Sequence, residues 1–329
     1  MRVTHFQRKP RPLGNFSIES YFKTIRALAP DDIKIKLCEA PVYSNGLLDR
    51  IKIIFHAIQH QSEINHITGD IHFVTPFLRK GKRILTIHDC GQLHRSKGIK
   101  KAILKFFWFT WPCRSADIIT VNSEFTKRDL LNFVSVPPDK IKVIYIFVPD
   151  VFKRFDKPFN AIKPRILQIG TAPNKNLVNT IPALEDIDCT FVIVGNPTDA
   201  IRELLYKHKV EHEIIDRALT ENELYEEYKK CDIISFISDF EGFGMPIVEG
   251  QIVGRPVITS YNASMPEVAA DGACKVDGYN PIEIKNGFKR IIDHADQRNA
   301  LIEIGYKNSK RFSAEMVTEK YFTLYRIIK

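Results

Sequence analysis

The amino-acid sequence predicts an α/β fold of two doubly wound, Rossmann-like domains that face an interdomain cleft. Short runs rich in isoleucine and valine alternate with helical patterns, which is typical of parallel sheets covered by helices. A length of 329 residues suits two domains. Residues 149–164 contain three prolines and no periodicity, so we place the domain break there. The predicted domains are 1–150 and 151–312, with a C-terminal helix at 313–329 that crosses back to the first domain.

The elements follow from the apolar pattern and from helix-start signals. The predicted strands are 71–75, 83–87, 117–121, 142–148, 165–169, 189–194, 232–237 and 256–259. The helices with readable starts are 124–133 after Ser123, 221–230 after a capping box of Thr220 and Glu223, and one after a capping box of Ser264 and Glu267. The amphipathic pattern of 314–328 predicts the last helix.

The composition is that of an ordinary soluble protein, with 44% hydrophobic residues, 26% charged residues and a net charge of +9. The positive excess suits anionic small molecules or an anionic membrane surface, and no block of like charge resembles a nucleic-acid arm. The sequence shows neither a signal peptide nor an apolar run as long as a membrane span. Six widely spaced cysteines favour reduced structural thiols and a cytoplasmic location.

The most informative segment runs from Glu241 to Glu249, where two carboxylates flank two glycines and a proline. The glycines disfavour a helix at Glu241, and Pro246 suits the first helical position. We therefore expect Glu241 in a loop and Glu249 about one turn into the next helix. The N–H groups at that helix start form an anion site, which suits a phosphate between the two carboxylates.

A second junction of strand, turn and helix lies at residues 167–177. Gly170 permits close backbone approach, and Asn174 or Asn176 can cap the helix. Lys175 lies beside the positive end of that helix, so two positive features coincide. The pattern predicts a diphosphate site, although a glycine turn before a capped helix is also a common structural feature.

The first half contains the candidate catalytic histidines. His88 directly follows a predicted strand, and His72 lies within one, where a satisfied core role is the alternative. His66 and His94 are predicted in loops or at the surface, and Gly14 is a candidate turn near a ligand. Because no H-E-x-x-H or other tight ligand spacing is recognised, we predict no metal site. The absence of G-x-G-x-x-G, Walker A and G-x-S-x-G motifs argues against nicotinamide, P-loop and hydrolase chemistry.

The basic and aromatic segment Lys97–Trp111 contains both tryptophans of the chain. Such a helix can lie in a membrane interface with its lysines near anionic head groups. The alternative is a core helix whose lysines reach the surface at one edge. Both interpretations stay open, and with them a peripheral contact at the inner face of the membrane.

On these motifs the chain resembles a family 4 glycosyltransferase, a retaining enzyme of the GT-B fold, over nearly its whole length. The E-x7-E element at 241–249, with its E-G-F-G-M-P-I core, is the most specific similarity. Residues 169–177 resemble the diphosphate-binding turn of the family, and residues 264–267 resemble its S-x-P-E loop. Residues 86–89 and 121–126 of the first half are also similar to the family pattern.

The resemblance implies a role for each matching residue. Glu249 would hold the ribose hydroxyls, Lys175 would neutralise the diphosphate, and Glu241 would lie near the donor sugar. The candidate catalytic residues are Glu241, Lys175, His88 and His72. The candidate donor-binding residues are Gly170, Thr171, Lys175, Gly242, Phe243, Gly244, Met245, Glu249 and Gly14. Two departures matter: Thr171 stands in the turn where many relatives place an arginine, and the H-x-H pattern is incomplete at His72.

The implied function is transfer of a sugar from a UDP-, GDP- or similar nucleotide-sugar to a glycan or lipid-linked acceptor. The resemblance implies no cofactor and no metal, an acceptor-binding first domain, a nucleotide-sugar-binding second domain, and a place in surface polysaccharide or glycoconjugate synthesis. The alternatives are a nucleotide-sugar epimerase of the same fold and a non-catalytic partner subunit. A phosphorylase is disfavoured because no pyridoxal lysine context is present, and a nucleic-acid binder is disfavoured by the charge pattern.

Overall fold

The computed structural model describes residues 1–10 and 17–328, so the candidate turn at Gly14 lies outside the described residues. The chain divides into two compact units, Met1–Phe147 together with Ala314–Lys329, and Val148–Ser313. Each unit contains one six-stranded sheet in which neighbouring strands are parallel. The predicted fold class, α/β with two doubly wound domains, is therefore confirmed.

The first unit has a sheet flanked by helices. Its strands are β1 (Arg2–Gln7), β2 (Lys34–Glu39), β3 (Ile64–Ile67), β4 (Lys82–Ile87), β5 (Ile118–Val121) and β6 (Ile141–Val143). Its helices before the second unit are α1 (Ser17–Ala27), α2 (Leu47–Gln59), α3 (Gly91–Arg95), α4 (Gly98–Leu104), α5 (Trp111–Ser115) and α6 (Glu124–Phe133). The sheet order is β2-β1-β3-β4-β5-β6. The chain adds β2 on one side of β1 and then crosses to add β3 to β6 on the other side, as in a doubly wound sheet.

The first predicted strand, 71–75, is wrong. These residues enter a 3-10 helix, His72–Phe77, and the strand of this region is β3, one element earlier. The pattern failed because β3 buries polar side chains that find partners inside the protein. The Asn65 amide donates to a main-chain carbonyl at 2.6 Å. His66 is fully buried and lies 2.7 Å from the Thr86 hydroxyl, so the surface placement predicted for His66 is also wrong.

The segment Lys97–Trp111 is not one regular helix. It contains α4, a π-helical turn at Lys105–Thr110, and the start of α5. Its faces differ, since Phe109 is buried in the core whereas Ile99 is 80% exposed. The core interpretation accounts for the buried side of the segment, and the membrane interpretation stays a prediction for its exposed side.

The second unit repeats the same architecture. Its strands are β7 (Arg165–Ile169), β8 (Thr190–Val194), β9 (His212–Ile215), β10 (Ile233–Phe236), β11 (Val257–Ser260) and β12 (Cys274–Val276). Its helices are α7 (Leu177–Ala183), α8 (Asp199–Lys207), α9 (Glu221–Lys230), α10 (Met245–Val253), α11 (Met265–Ala269), α12 (Pro281–Asp293) and α13 (Ala295–Ser309). The order is β12-β11-β10-β7-β8-β9. All four strands predicted in this half are present, with ends shifted by at most one residue.

The C-terminal helix α14 (Ala314–Ile328) belongs to the first unit, as expected from its amphipathic pattern. Its buried side chains join a cluster with residues of β1, α1 and the chain after β6. The Tyr325 hydroxyl lies 2.9 Å from Nε2 of His5 and 2.7 Å from Nδ1 of His66. Helix α14 therefore completes both the apolar core and a buried polar network of this unit.

Candidate functional site

Three neighbouring strands of the second unit place most of the candidate residues at one edge of the sheet. Strands β11, β10 and β7 are adjacent, and the loops that follow them carry Ser264, Glu241 and Lys175 respectively. The main-chain N–H of Asp239 donates to the carbonyl of Asn174 at 2.8 Å, which ties two of these loops together. The two segments predicted to carry the chemistry therefore form one local structure.

The loop before α10 has the form that its glycines and proline predict. Gly244 is in the left-handed region with φ of 107°, and a β-carbon there would lie 3.2 Å from the Phe236 ring. Met245 begins α10, and Pro246 occupies the first turn, where its missing N–H costs no helical hydrogen bond. Phe243 turns its side chain inward and is only 3% exposed. Gly242 thus brings main chain, rather than a side chain, toward the loop surface, whereas Gly244 is itself buried.

Ser264 anchors this loop instead of capping a helix. It has a helical φ of −84° and makes no side-chain capping bond, so the predicted capping box is wrong. Its hydroxyl contacts the carbonyl oxygens of Glu241 at 2.9 Å and of Phe243 at 2.7 Å. The serine therefore holds the loop through main-chain atoms that lie more than twenty residues earlier.

Lys175 and Glu241 form an ion pair at the centre of the site. The Lys175 ammonium lies 2.7 Å from Oε1 of Glu241 and 4.5 Å from the centre of the Phe236 ring. The Asn174 amide donates to the same carboxylate oxygen at 2.9 Å. Gly170 has φ of 85°, and a β-carbon there would lie 2.9 Å from Cε of Lys175. The turn thus requires glycine both for its backbone conformation and for the path of the lysine side chain.

Thr171 and the turn after β8 complete this edge of the sheet. The Thr171 hydroxyl donates to the carbonyl of Asn196 at 3.0 Å. Gly195 has φ of 130°, and a β-carbon there would lie 3.1 Å from the Thr171 side chain. Arg202 of α8 donates to the side-chain oxygen of Asn196 at 3.1 Å. A guanidinium therefore reaches the turn next to the one that carries Lys175.

Glu249 is buried inside the unit on the fifth residue of α10. Its Oε2 accepts a hydrogen bond from the Tyr228 hydroxyl of α9 at 2.5 Å. Burial raises the pKa of Glu249 to about 7, against the opposing effects of the Tyr228 hydrogen bond and the Lys175 charge. A carboxyl group with a strongly raised pKa beside a lysine is a feature of functional sites.

The candidate histidines belong to the first unit, and each has a main-chain partner. His88 Nε2 donates to the Thr68 carbonyl at 2.8 Å, and His72 Nδ1 donates to the Trp108 carbonyl at 2.9 Å. Burial lowers the pKa of His72, so this ring is neutral at pH 7. His94, for which the sequence predicts a loop or surface position, lies on α3 and is exposed. The catalytic roles of His72 and His88 stay predictions.

Three features of the structure were not predicted from the sequence. Tyr228 occupies an apolar position of α9, but its hydroxyl donates to Glu249. Phe236 is an apolar strand residue, but its ring contacts the Lys175 ammonium. The third is a cluster in the first unit where ligand atoms of Cys38, His56 and His60 lie within 4.8 Å of one another. The i, i+4 spacing of its histidines was the available signal. Lys36 precedes Cys38 by two residues on β2 and so lies on the same face of the strand, where its positive charge disfavours a cation.

Comparisons with known proteins agree with the resemblance. The profile of the family "Glycosyl transferases group 1" matches residues 151–308, and that of "Glycosyltransferase Family 4" matches residues 27–150. An uncharacterized glycosyltransferase of Methanocaldococcus jannaschii is 28% identical over 240 residues, which are 70% of this chain and 64% of that protein. An N-acetylgalactosaminyltransferase of Campylobacter jejuni, whose name gives a diphospho-undecaprenol-linked acceptor, is 24% identical over 84% of this chain and 80% of its own length.

The fold is shared with solved structures at lower identity. The Anabaena protein HepE, crystallised with UDP and glucose, has a TM-score of 0.78 at 14% identity and covers 99% of both chains. Such neighbours have the GT-B fold, which confirms that part of the predicted fold class. The chain spans less than two thirds of the length of the first curated relatives, between 56% and 64%. Among the described helices, none has the length and apolarity needed to cross a bilayer.

Proposed function

We propose, since this chain belongs to the group 1 glycosyltransferases, that it transfers a sugar from a nucleotide-diphosphate donor to a glycan or lipid-linked acceptor with retention of configuration. The observation that carries the proposal is the ion pair of Lys175 and Glu241 after the adjacent strands β7 and β10, with Glu249 buried on the helix that follows. The Lys175 ammonium suits a leaving diphosphate, and the buried Glu249 carboxylate suits the hydroxyls of a ribose. Glu241 lies beside Lys175 in the loop before α10. The second unit would therefore bind the donor and the first the acceptor.

Departure of the diphosphate requires positive charge in the site. Negative charge grows on its oxygens as the bond to the sugar breaks, so fixed positive charge at that position stabilises the transition state. Lys175 supplies a positive charge that its ion pair with Glu241 offsets in part, and the N–H groups at the start of α10 add a partial charge. We propose that these groups carry the diphosphate without a metal ion. Arg202 takes part of the role that an arginine in the Lys175 turn plays in many relatives.

Glu249 and Glu241 have different proposed roles in binding the donor. The Glu249 carboxylate accepts hydrogen bonds from the ribose hydroxyls, and Tyr228 is a positioning residue that fixes the orientation of this carboxylate. Glu241 orients the Lys175 ammonium through its 2.7 Å contact and lies where the donor sugar would meet the loop. The front-face displacement usually proposed for this family needs no enzyme nucleophile, so we assign none. In that reaction the acceptor oxygen bonds to the sugar carbon on the face from which the diphosphate leaves, and the hydroxyl proton passes to the departing diphosphate oxygen.

Buried, unpaired cysteines suit a reducing compartment, which supports a cytoplasmic location. The name of the Campylobacter relative supports a lipid-linked acceptor in surface glycoconjugate synthesis. The membrane contact predicted for Lys97–Trp111 remains part of the proposal. Its exposed large apolar side chains are Ile99, Ile103, Phe106 and Phe107. Both tryptophans are only partly exposed, and the Trp108 N–H donates to the carbonyl of Asp70.

The test combines binding with product analysis. A thermal-shift panel of UDP-, GDP- and ADP-sugars identifies the donor, because only a bound ligand stabilises the native state. Calorimetry then compares Glu249→Ala with the unchanged protein, and we expect weaker nucleotide affinity. Lys175→Met should keep most of that affinity and lower turnover about 100-fold. Unchanged affinity in Glu249→Ala contradicts the ribose assignment, and an epimerised donor formed without any acceptor contradicts transfer.

A further inference from the structure

The first unit contains a cavity of about 450 Å³ that the donor chemistry does not use. Its walls come from the end of β1, the chain after β2, the first turns of α2, the turn before the 3-10 helix, and α3 to the π-helical turn. This volume is in the range of small-molecule sites. The cavity is therefore large enough for a diphosphate with an attached sugar.

The cavity lining is strongly positive. It contains four cations, Arg8, Lys9, Arg50 and Lys100, and one carboxylate, Asp70, so the difference is +3. Arg8 is neutralised in part because it pairs with Asp70 and with Glu19.

The other three cations have no carboxylate partner. Within residues 1–10 and 17–328, no ion pair engages Lys9, Arg50 or Lys100. Arg50 is instead held by the Trp108 ring at 4.6 Å and by the Ser44 hydroxyl at 3.2 Å. A guanidinium stacked in this way presents its remaining N–H groups in a fixed direction, which suits a phosphate. The charge excess is therefore available to an anionic ligand.

An apolar surface begins at the rim of the same cavity. Ile103 lines the cavity and is also 53% exposed, and Ile99, one turn earlier on α4, is 80% exposed. Phe106 and Phe107 continue this surface beyond α4. Residues 90–116 contain no acidic side chain, so every charged side chain of this segment is basic. This combination of apolar and basic side chains is typical of contact with an anionic lipid surface.

We propose that this cavity binds the phosphate or diphosphate group of a lipid-linked acceptor, whose hydrocarbon chain leaves along Ile103 and Ile99. The inference rests on the proposed function, because it names the acceptor class of that reaction. Arg50, Lys9 and Lys100 neutralise the phosphates, and the apolar rim receives the first carbons of the lipid. An uncharged glycan in the cavity would cover the half-buried Lys9 and Arg50 without supplying a counter-charge, which is unfavourable.

The experiment measures binding of farnesyl diphosphate to the full chain by calorimetry, with farnesol and inorganic diphosphate as partial ligands. We expect farnesyl diphosphate to bind at least about tenfold more tightly than either partial ligand. Arg50→Met and Lys100→Ala should each weaken it by about tenfold. The matched control is Lys52→Ala, which removes an exposed lysine of α2 that does not line the cavity and should change nothing.

The outcomes separate this inference from the donor assignment. Ile99→Ser should weaken binding of farnesyl diphosphate but not of inorganic diphosphate. Equal affinity for farnesyl and inorganic diphosphate would overturn the lipid-linked acceptor. Equal losses in Lys52→Ala and Lys100→Ala would overturn the cavity as the site. If Glu249→Ala weakened farnesyl diphosphate as much as UDP, the lipid would occupy the donor site, whereas loss of UDP alone leaves the present inference intact. Thermal unfolding confirms that each variant is folded.

Discussion

Replacing Glu249 by glutamine should stabilise the protein at alkaline pH. The carboxyl group has a pKa of about 7 in the folded protein against an ordinary value of 4.5. A raised pKa means that the folded state binds more protons than the unfolded state between these two values. The stabilising effect of the protonated form is complete below pH 4.5 and is lost as the pH rises through 7. From the two pKa values, ionisation of Glu249 lowers the free energy of unfolding by about 3 kcal/mol at pH 8 and by under about 1 kcal/mol at pH 5.

Glutamine has the shape of the protonated acid, and its oxygen can accept the same hydrogen bond from Tyr228. Urea unfolding of both proteins at pH 8 and pH 5 measures the difference in the free energy of unfolding. We expect Glu249→Gln to be more stable by about 3 kcal/mol at pH 8 and by less than about 1 kcal/mol at pH 5. UDP binding should be weakened by the same substitution, because an amide accepts hydrogen bonds from the ribose less strongly than a carboxylate.

The result that refutes this reasoning is a stability difference that is equal at the two pH values. In that case the carboxyl group would not titrate near pH 7, and its burial would not be the cause of the effect. Tyr228→Phe is the matched control, because it removes the one hydrogen bond that the Glu249 carboxylate accepts from the described residues. It should raise the pKa of Glu249 further and lower the stability at pH 8 more than at pH 5.

Three more predictions concern the same unit. Gly170→Ala should lower the free energy of unfolding by about 1 kcal/mol and reduce turnover about tenfold, since its methyl group would displace Lys175; single-turnover rates check this. Ser264→Ala should cost about 1–3 kcal/mol in urea unfolding because it removes both contacts to the loop before α10. UDP affinity of the unchanged protein should fall about tenfold between pH 8 and pH 6 as Glu249 becomes protonated. Calorimetry should find this pH dependence absent in Glu249→Gln.

The second unit could be predicted well because its information is local. Strands such as β7 and β10 are apolar runs that are buried on both faces, and glycine and proline mark the turns that follow them. The loop position of Glu241 and the helical position of Glu249 depend only on residues between them. Strands β9 and β12 were missed because neither is a continuous apolar run: β9 begins with His212 and Glu213, and β12 has three residues with Lys275 at its centre.

The first unit was predicted less well because its polar residues are explained only by distant partners. His66 is buried because Tyr325, 259 positions later, and Thr86 satisfy its two ring nitrogens. No pattern within β3 contains that information, so the strand was missed and the histidine was placed at the surface. The same limit explains Ser264, whose partners lie across the sheet edge rather than in the helix that it precedes.

Stability alone does not explain why a glutamate occupies position 249. Its burial beside Tyr228 makes the charged form unfavourable, and glutamine would keep the hydrogen bond without that cost. Residues that break a local rule in this way are expected at functional sites. The ion pair of Lys175 and Glu241 lies in the same unit and places positive charge near the buried acid, which lowers the cost only in part. A ligand whose hydroxyls donate to the carboxylate would remove more of it. The destabilising acid and the cation beside it therefore support the same conclusion, a site organised around a nucleotide diphosphate.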